Sequence, residues 1–204
     1  MPRISSIFAL TFLMFAFTIW ADPTTTTAPT TNPASLVVWD GETHNTGGGW
    51  IHTQGKEHIK TQDTESHSPK TAVAYDGEGD KWHGCGWNWT KWKAADATDI
   101  TPYQNLVFWV KVTGDTKPTQ LKVSLTSTNG KSTNQIDAGK YCPKVLDGDW
   151  QQVVIPLKDL TADAPDFEPQ KTWELQLGNW NESPVKFTIY LDDISFSKDP
   201  APAK

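Results

Sequence analysis

Apolar residues beyond position 35 recur at every second position, not at the spacing of three or four that a helix needs. In the segment 106–112, LVFWVKV, the residues of one face are all apolar: Leu106, Phe108, Val110 and Val112. Four further segments alternate in the same way: 121–125, 153–157, 173–177 and 185–191. Period two indicates half-buried β-strands, and clusters of Gly, Asn, Asp and Pro separate them. We predict an all-β fold, a two-sheet antiparallel β-sandwich or jelly roll, without amphipathic helices.

The same alternation indicates which side chains leave the core, because successive residues of a strand point to opposite faces. The outward set combines aromatic, amide, hydroxyl and charged groups: Trp109, Lys111, Lys122, Ser124, Glu174, Gln176 and Tyr190. If some of these strands are neighbours, the set forms a platform suited to a sugar. The alternative is an ordinary solvated sheet face.

Tryptophan is the unusual component of the composition, with eleven residues against four tyrosines. The segment 82–92, WHGCGWNWTKW, contains four of them. On a regular strand Trp87 and Trp89 share one face, while Trp82 lies on the other. Both faces cannot be core in a two-layer sandwich, so either Trp82 or the pair should face outward. Trp92 and Trp180 fall in loops beyond strand ends.

Indoles and amides suit a pyranose, which offers C–H groups on its faces and hydroxyls on its rim. We therefore predict a glycan-binding site drawn from the residues Trp82, His83, Trp87, Trp89, Trp92, Trp109, Gln176 and Trp180. Packing in the core or at sheet edges is the alternative for each tryptophan.

The amino-terminal part has the composition of an exported chain. Residues 1–21 contain Arg3 and a 14-residue apolar stretch at 7–20, which predicts a secretory signal peptide. An uncleaved membrane anchor is the alternative. Residues 22–35 are rich in Thr and Pro and predict an extended linker. The domain would then span 36–198, followed by a disordered tail at 199–204, in a secreted or periplasmic protein.

The charge balance excludes two classes of partner. Lys and Arg number 18 against 24 Asp and Glu, a net charge of −6, and the only arginine is Arg3. A nucleic-acid binder needs a basic surface, and an anionic membrane attracts clusters of Lys and Arg. We expect neither nucleic acid nor membrane as a partner of the mature chain.

The two cysteines, Cys85 and Cys142, lie in a chain predicted to be exported, where a disulfide persists. We predict that they pair. The alternative is two separate buried thiols.

Acidic residues stand at both ends of the domain. Asp40 and Glu42 follow the first strand residues, and Asp192 and Asp193 lie in the closing strand. In many sandwiches the first and last strands are close, which would gather these carboxylates. Hard oxygen ligands without nearby Cys or His favour Ca²⁺. The alternative is ordinary acidic turns.

Catalytic patterns are weak in this sequence. The five histidines show no metal-binding spacing, and no nucleophile elbow is present. A glycosidase needs two facing carboxylates; the best pair is Glu174 with Glu78 or Asp80. We expect a non-catalytic binding module. A small jelly-roll glycoside hydrolase or lyase is one alternative, and a β-sandwich that mediates protein–protein assembly is another.

Several motifs occur in the order found in one family. VVWDGE begins the domain, and HSPKTAVAYDGEGDKWHGCGW and DITPYQNLVFWVKV follow. GDWQQVVIPLKDL and YLDDISF complete the series. The chain thus resembles the calcium-containing β-jelly-roll carbohydrate-binding modules, of the galactose-binding-like fold, that are attached to secreted plant-cell-wall hydrolases. The resemblance covers nearly all of 36–198.

The resemblance implies a module that binds a plant-type or other polysaccharide and a structural Ca²⁺. The family's calcium ligands map onto Asp40 or Glu42 and onto Asp192, with a backbone carbonyl near Lys70 as a further candidate. It also implies a secreted hydrolase or a cell-surface assembly as a partner, although no catalytic domain is recognisable in this chain.

Overall fold

A computed structural model describes residues 33–52, 58–79, 82–181 and 183–200 of the chain. These residues form eleven strands: β1 (Ser35–Trp39), β2 (Gly48–His52), β3 (His58–Gln62), β4 (Ala72–Gly79), β5 (Trp82–Asn88), β6 (Asn105–Thr116), β7 (Lys122–Ser127), β8 (Ile136–Asp137), β9 (Gln151–Pro156), β10 (Thr172–Trp180) and β11 (Val185–Ser197). One short helix, α1 (Leu157–Thr161), follows β9, and three 3₁₀ turns lie at Ala94–Asp96, Ala138–Lys140 and Pro169–Lys171.

The strands form two antiparallel sheets. Sheet A has the order β3-β4-β11-β6-β9, with β1 also paired to β11, and sheet B has the order β2-β5-β10-β7-β8. The side chains between the sheets form the hydrophobic core. The predicted all-β, two-sheet antiparallel sandwich is therefore confirmed.

The alternation in the sequence matches the burial of the strands. In β6, Leu106, Phe108, Val110 and Val112 are fully buried, as the pattern predicts. The segment 153–157 departs from the prediction at its end, because Leu157 begins helix α1. This helix buries Leu157 and Leu160, so the expectation of no amphipathic helix is wrong. A period of three residues over so few positions is too short to be recognised in the sequence.

The first and last strands are adjacent, as expected. β1 runs antiparallel to β11, with Leu36 opposite Phe196. The register of β11 against β6 shifts between Asp192 and Ser195, and Asp193 has a positive φ of 49°. Asp192 is still in register, opposite Trp109, so the irregularity begins at Asp193. The carboxylates of both aspartates contact His67, in the loop that precedes β4.

The predicted disulfide is absent: Cys85 and Cys142 are both buried thiols. Cys85 lies on the core face of β5, and Cys142 follows the 3₁₀ turn at Ala138–Lys140. Each belongs to the hydrophobic core as a small apolar side chain. Burial raises the pKa of the Cys142 thiol.

The predicted signal peptide at 1–21 and most of the predicted linker at 22–35 lie outside the described residues. At the other end, the side-chain amide of Asn105 donates to the carbonyl of Asp199, within the predicted tail at 199–204. None of the helices in the described ranges has the length and apolar composition needed to span a membrane.

Candidate functional site

The outer face of sheet B carries an aromatic and polar surface. Antiparallel register places its residues in three rows across the strands: Gly48, Asn88, Glu174 and Thr126; then Trp50, Gly86, Gln176 and Ser124; then Gly84, Gly178, Lys122 and Asp137. Neighbouring rows are two residues apart along each strand, about 7 Å. We call this surface the sheet B platform.

The indole of Trp82 lies over the third row. A β-carbon at Gly178 would be 2.7 Å from its Cη2 atom, and one at Gly84 would be 3.2 Å from its Cζ2 atom. The ring therefore covers the backbone of both β5 and β10. Trp82 itself is only partly buried, which leaves the ring accessible from the outside.

Trp50 occupies the second row. Its ring lies over Gly86, where a β-carbon would be 2.2 Å from the indole Nε1 and 2.9 Å from Oε1 of Glu174. Trp50 is not among the ligand residues predicted from the sequence. The alternation of side chains along a strand could have indicated Trp50, because Gly48 and Trp50 are two residues apart, as Gly84 and Gly86 are.

Trp92 reaches the first row from a tight turn after β5. Asn88 Oδ1 accepts hydrogen bonds from the N–H groups of Thr90 and Trp92, at 3.1 and 2.9 Å. Lys91 and Trp92 both have a positive φ, 50° and 60°. This unusual backbone folds the indole back over Gly48, where a β-carbon would be 2.6 Å from Cζ3. Trp92 is 45% exposed.

Polar side chains next to the indoles are fixed by hydrogen bonds to one another. Gln176 Nε2 donates to Glu174 Oε1 at 2.8 Å, and Ser124 Oγ donates to Gln176 Oε1 at 3.4 Å. Glu174 and Ser124 are buried although they lie on the outer face. The predicted residue Gln176 therefore lies on the platform with a defined amide orientation.

Three predicted ligand residues point into the core instead. His83, Trp87 and Trp89 are at most 5% exposed. His83 and Trp87 lie on the face of β5 that opposes sheet A, where Trp87 contacts Trp39 edge-on at 5.5 Å between ring centroids. Trp89 follows β5 and contacts Phe196 edge-on at 6.1 Å. The prediction that these three residues bind a ligand is therefore wrong. Alternation along the strand allowed either Trp82 or the pair to face outward, and Trp82 is the one that does.

Trp109 lies on the outer face of sheet A and not on the platform. The imidazole of His67 stacks on its indole, so this predicted ligand residue is covered by the chain's own loop. Lys111 and Tyr190 of the predicted outward set lie on the same sheet. Trp180 pairs with Trp82 in the backbone register, but its side chain lies outside the described part of the structure.

The catalytic carboxylate pair considered from the sequence is not assembled in the described residues. Glu174 belongs to sheet B, whereas Glu78 belongs to sheet A and forms an ion pair of 3.7 Å with Lys186. Asp80 lies outside the described residues.

Oxygen atoms gather where the loop before β4 meets the ends of β1 and β11. The hydroxyl Oγ of Ser68 lies 3.1 Å from Glu42 Oε2, 3.2 Å from the carbonyl oxygen of Asp40 and 3.2 Å from both carboxylate oxygens of Asp192. One hydroxyl has one proton to donate, so these acceptors outnumber the donor. Such an arrangement of hard oxygens fits a cation of the Ca²⁺ type.

Asp192 is the centre of this cluster. It is fully buried, and burial raises the pKa of its carboxyl group. Its oxygens accept main-chain N–H groups from His67 at 2.9 Å, Ser68 at 3.0 Å and Asp193 at 2.8 Å. Within the described residues no group of three or more His, Cys, Asp or Glu side chains is arranged to hold a metal, so any site would depend on the Ser68 hydroxyl and main-chain carbonyls as well.

The carboxylate of Asp40 is directed away from this cluster. It accepts the N–H groups of Glu42 and His44 and the hydroxyl of Thr43, at 2.9, 2.7 and 2.6 Å. Burial would raise the pKa of Asp40, but these hydrogen bonds together hold it below its ordinary value. Only the carbonyl of Asp40 faces Ser68. Lys70 is exposed in the same loop, next to Thr71, whose N–H donates to Glu42 Oε1 at 3.0 Å.

Solved structures with the same fold include several carbohydrate-binding modules. The family 30 carbohydrate-binding module of a cellulosomal cellulase of Clostridium thermocellum matches with a TM-score of 0.59 and 16% identity, over 81% of this chain and 98% of that one. A family 11 module from Clostridium thermocellum, in complex with a β-1,3-1,4-mixed-linked tetrasaccharide, matches with a TM-score of 0.53 and 13% identity, over 80% and 95%. A β-1,2-glucanase from Parabacteroides distasonis matches with a TM-score of 0.56 and 16% identity, over 83% of this chain but 24% of the enzyme.

Family membership rests on a separate finding. A comparison with curated proteins returns no match. The family model described as Carbohydrate binding domain 30, however, matches residues 30–198, which include every strand of the described sandwich. The resemblance to carbohydrate-binding modules seen in the sequence is thereby confirmed, and the chain belongs to the Carbohydrate binding domain 30 family.

Proposed function

We propose that this chain is a non-catalytic module that binds a polysaccharide on the sheet B platform, by stacking sugar rings on Trp50, Trp82 and Trp92. The supporting observation is the arrangement of these three indoles over glycine backbone on one sheet face. Flat indoles offer the apolar surface that the C–H face of a pyranose requires. The neighbouring amide of Gln176 is available to the hydroxyl groups at the ring edge.

The positions of the indoles favour an extended ligand. Trp82 lies over β5 and β10, Trp50 over β5, and Trp92 over β2, each one row further along the strands. The three rings thus follow a diagonal across the sheet that covers about 13 Å along the strand direction. A path of this length suits several consecutive sugar units of a chain.

The absence of catalysis is supported by the environment of Glu174. Its carboxylate accepts from Gln176 and is buried beside the indole of Trp50. Hydrolysis of a glycosidic bond requires two carboxyl groups, about 5–9 Å apart, on either side of the bond. Among the described residues the sequence-based partner, Glu78, belongs to the other sheet.

The first ligand to test is a β-glucan, because the similar family 11 module is in complex with a β-1,3-1,4-mixed-linked tetrasaccharide. We further propose that the protein is exported and acts outside the cell or in the periplasm, as the apolar stretch near its amino terminus indicates. A secreted hydrolase or cell-surface assembly is the proposed partner.

We also propose that a structural Ca²⁺ is held near Ser68 by Glu42, Asp192 and the carbonyl of Asp40. The surplus of oxygen acceptors around the Ser68 hydroxyl supports this proposal. A cation would neutralise the buried carboxylate of Asp192 and join the loop before β4 to the first and last strands.

The deciding experiment is a titration of tryptophan fluorescence with mixed-linked β-glucan, other β-glucans, xylan, mannan and pectin fragments, while released sugar is measured. We expect a saturable change with at least one glycan and no released product. Release of product would favour the glycosidase alternative. No change across the panel, in a folded protein, would contradict the proposal and favour protein–protein assembly.

A further inference from the structure

Four glycines form the floor beneath the indoles of the sheet B platform: Gly48, Gly84, Gly86 and Gly178. All four lie within strands, in β2, β5 and β10. None has the positive φ that makes glycine necessary for the backbone, in contrast to glycines such as Gly41 and Gly130. Glycine normally weakens a strand, because it has no side chain to pack and loses more conformational freedom on folding. Its repeated use on this face therefore needs another reason.

The reason is the space that each ring occupies. A β-carbon at Gly86 would lie 2.2 Å from Trp50 Nε1 and 2.6 Å from Trp50 Cε2. At Gly48 it would lie 2.6 Å from Trp92 Cζ3, and at Gly178 it would lie 2.7 Å from Trp82 Cη2. Any larger residue must displace the indole, because non-bonded carbon atoms prefer about 3.5–4.0 Å.

We propose that these floor glycines are positioning residues for ligand binding: they allow the three indoles to rest on the sheet, so that the outer ring faces form a preformed binding surface. This inference rests on the proposed function of the platform. Affinity then depends on positions that the ligand does not contact, because a ring that is already held in place loses little freedom when a sugar stacks on it.

The two glycines beneath Trp82 provide a graded comparison. At Gly178 the nearest ring atom would be 2.7 Å from a new β-carbon, whereas at Gly84 it would be 3.2 Å. Gly178→Ala must therefore lift or tilt the ring, while Gly84→Ala requires an adjustment of a few tenths of an ångström. The two variants add the same methyl group to the same sheet face, so a difference between them reports the position of the indole.

The test is a double-mutant cycle of Gly178→Ala with Trp82→Ala, measured by glycan titration. We expect G178A to weaken binding at least about fivefold, which corresponds to about 1 kcal/mol, and G84A to weaken it less. In the W82A background, G178A should have no further effect on binding, because the ring that it displaces is gone.

Thermal unfolding supplies a second readout with a predicted sign. Alanine in a strand is ordinarily favourable relative to glycine, so G178A should raise the melting temperature in the W82A background and fail to do so when Trp82 is present. Wild-type affinity in G178A, or equal weakening with and without Trp82, would overturn the proposal.

The same series separates this proposal from the proposed function. If the unmutated protein binds no glycan in the panel, the function is wrong, and the cycle in melting temperature still tests the placement of the ring. If it binds glycan but the cycle shows no coupling between Gly178 and Trp82, the function stands and the role of the glycine is wrong.

Discussion

The imidazole of His67 lies flat on the indole of Trp109, with ring centroids 3.6 Å apart and an angle of 11° between the planes. His67 Nδ1 is also 2.7 Å from Asp193 Oδ2. The loop before β4 is thereby attached to the outer face of sheet A by stacking and to β11 by a polar contact. An indole that looks available in the sequence thus holds a loop in place. Among the contacts of the described residues, no aromatic ring stacks on Trp50, Trp82 or Trp92 at the opposite sheet.

Trp109→Ala should therefore lower stability without affecting glycan binding. The substitution removes the stack with His67 and much of the contact area of the ring, at a cost of about 1–2 kcal/mol. Denaturant unfolding measures the loss, and glycan titration of the folded variant should give an affinity within twofold of wild type. A large loss of affinity in a folded W109A would place the binding surface on sheet A instead.

Trp50→Ala should have the opposite effects: weaker glycan binding in a protein that stays folded. Removing the indole over Gly86 takes away a stacking surface at the centre of the diagonal, and we expect about a tenfold loss of affinity, about 1.4 kcal/mol. The fold should persist because the ring lies outside the core between the sheets. W109A is the matched control, since it removes an indole of the same size from the other sheet. Unchanged affinity in W50A would contradict the proposed ligand path.

Removal of divalent cations should lower the melting temperature, and Ca²⁺ should restore it. A ligand that binds only the folded state at a hundred times its dissociation constant stabilises by about 2.7 kcal/mol. Glu42→Gln should reduce this response, because it removes one carboxylate from the oxygen cluster around Ser68. A chelator that leaves the melting temperature of the unmutated protein unchanged would show that Ser68 and its neighbours hold no cation.

Tyr141 should make stability fall in alkaline solution. Burial, together with the hydrogen bond that its hydroxyl donates to Asp159 at 2.9 Å, raises the pKa of Tyr141 to about 12. In the unfolded chain this hydroxyl ionises near pH 10. Between pH 10 and pH 12 the unfolded state loses the proton that the folded state keeps, so stability decreases as pH rises through this window.

The comparison with Tyr141→Phe isolates this effect. Lysines also titrate in alkaline solution, but they do so in both proteins. Denaturant unfolding at several pH values should therefore show a smaller alkaline loss of stability in Y141F. Equal losses of stability in the two proteins would show that folding does not raise the pKa of the Tyr141 hydroxyl.

The sandwich could be predicted because alternation is a local property. Strand β6 shows it over successive pairs of residues, and the burial of Phe108 and Val110 follows directly. Helix α1 escaped prediction because Leu157 and Leu160 supply only one helical spacing. Proximity of β1 and β11 was expected because the first and last strands are close in many sandwiches.

The site could be predicted only in part. Alternation along a strand shows which residues share a face, but it does not show which of the two faces belongs to the core. The choice between Trp82 and the pair Trp87 and Trp89 depends on how sheet B packs against sheet A, which is a non-local property. Trp109 was misjudged for a related reason: the loop that carries His67 is more than forty residues away in the chain, as their numbers in the sequence show, and no local pattern indicates that it covers the indole.

The separate burial of Cys85 and Cys142 has a practical meaning for handling this domain. A fold whose two thiols are not cross-linked does not need an oxidising compartment to form. The domain at 36–198 can therefore be produced in a reducing cytoplasm, and dithiothreitol in a buffer should leave its melting temperature unchanged. In an oxidising environment the fold still buries both thiols, so dimers linked by a disulfide are not expected while the sandwich stays folded.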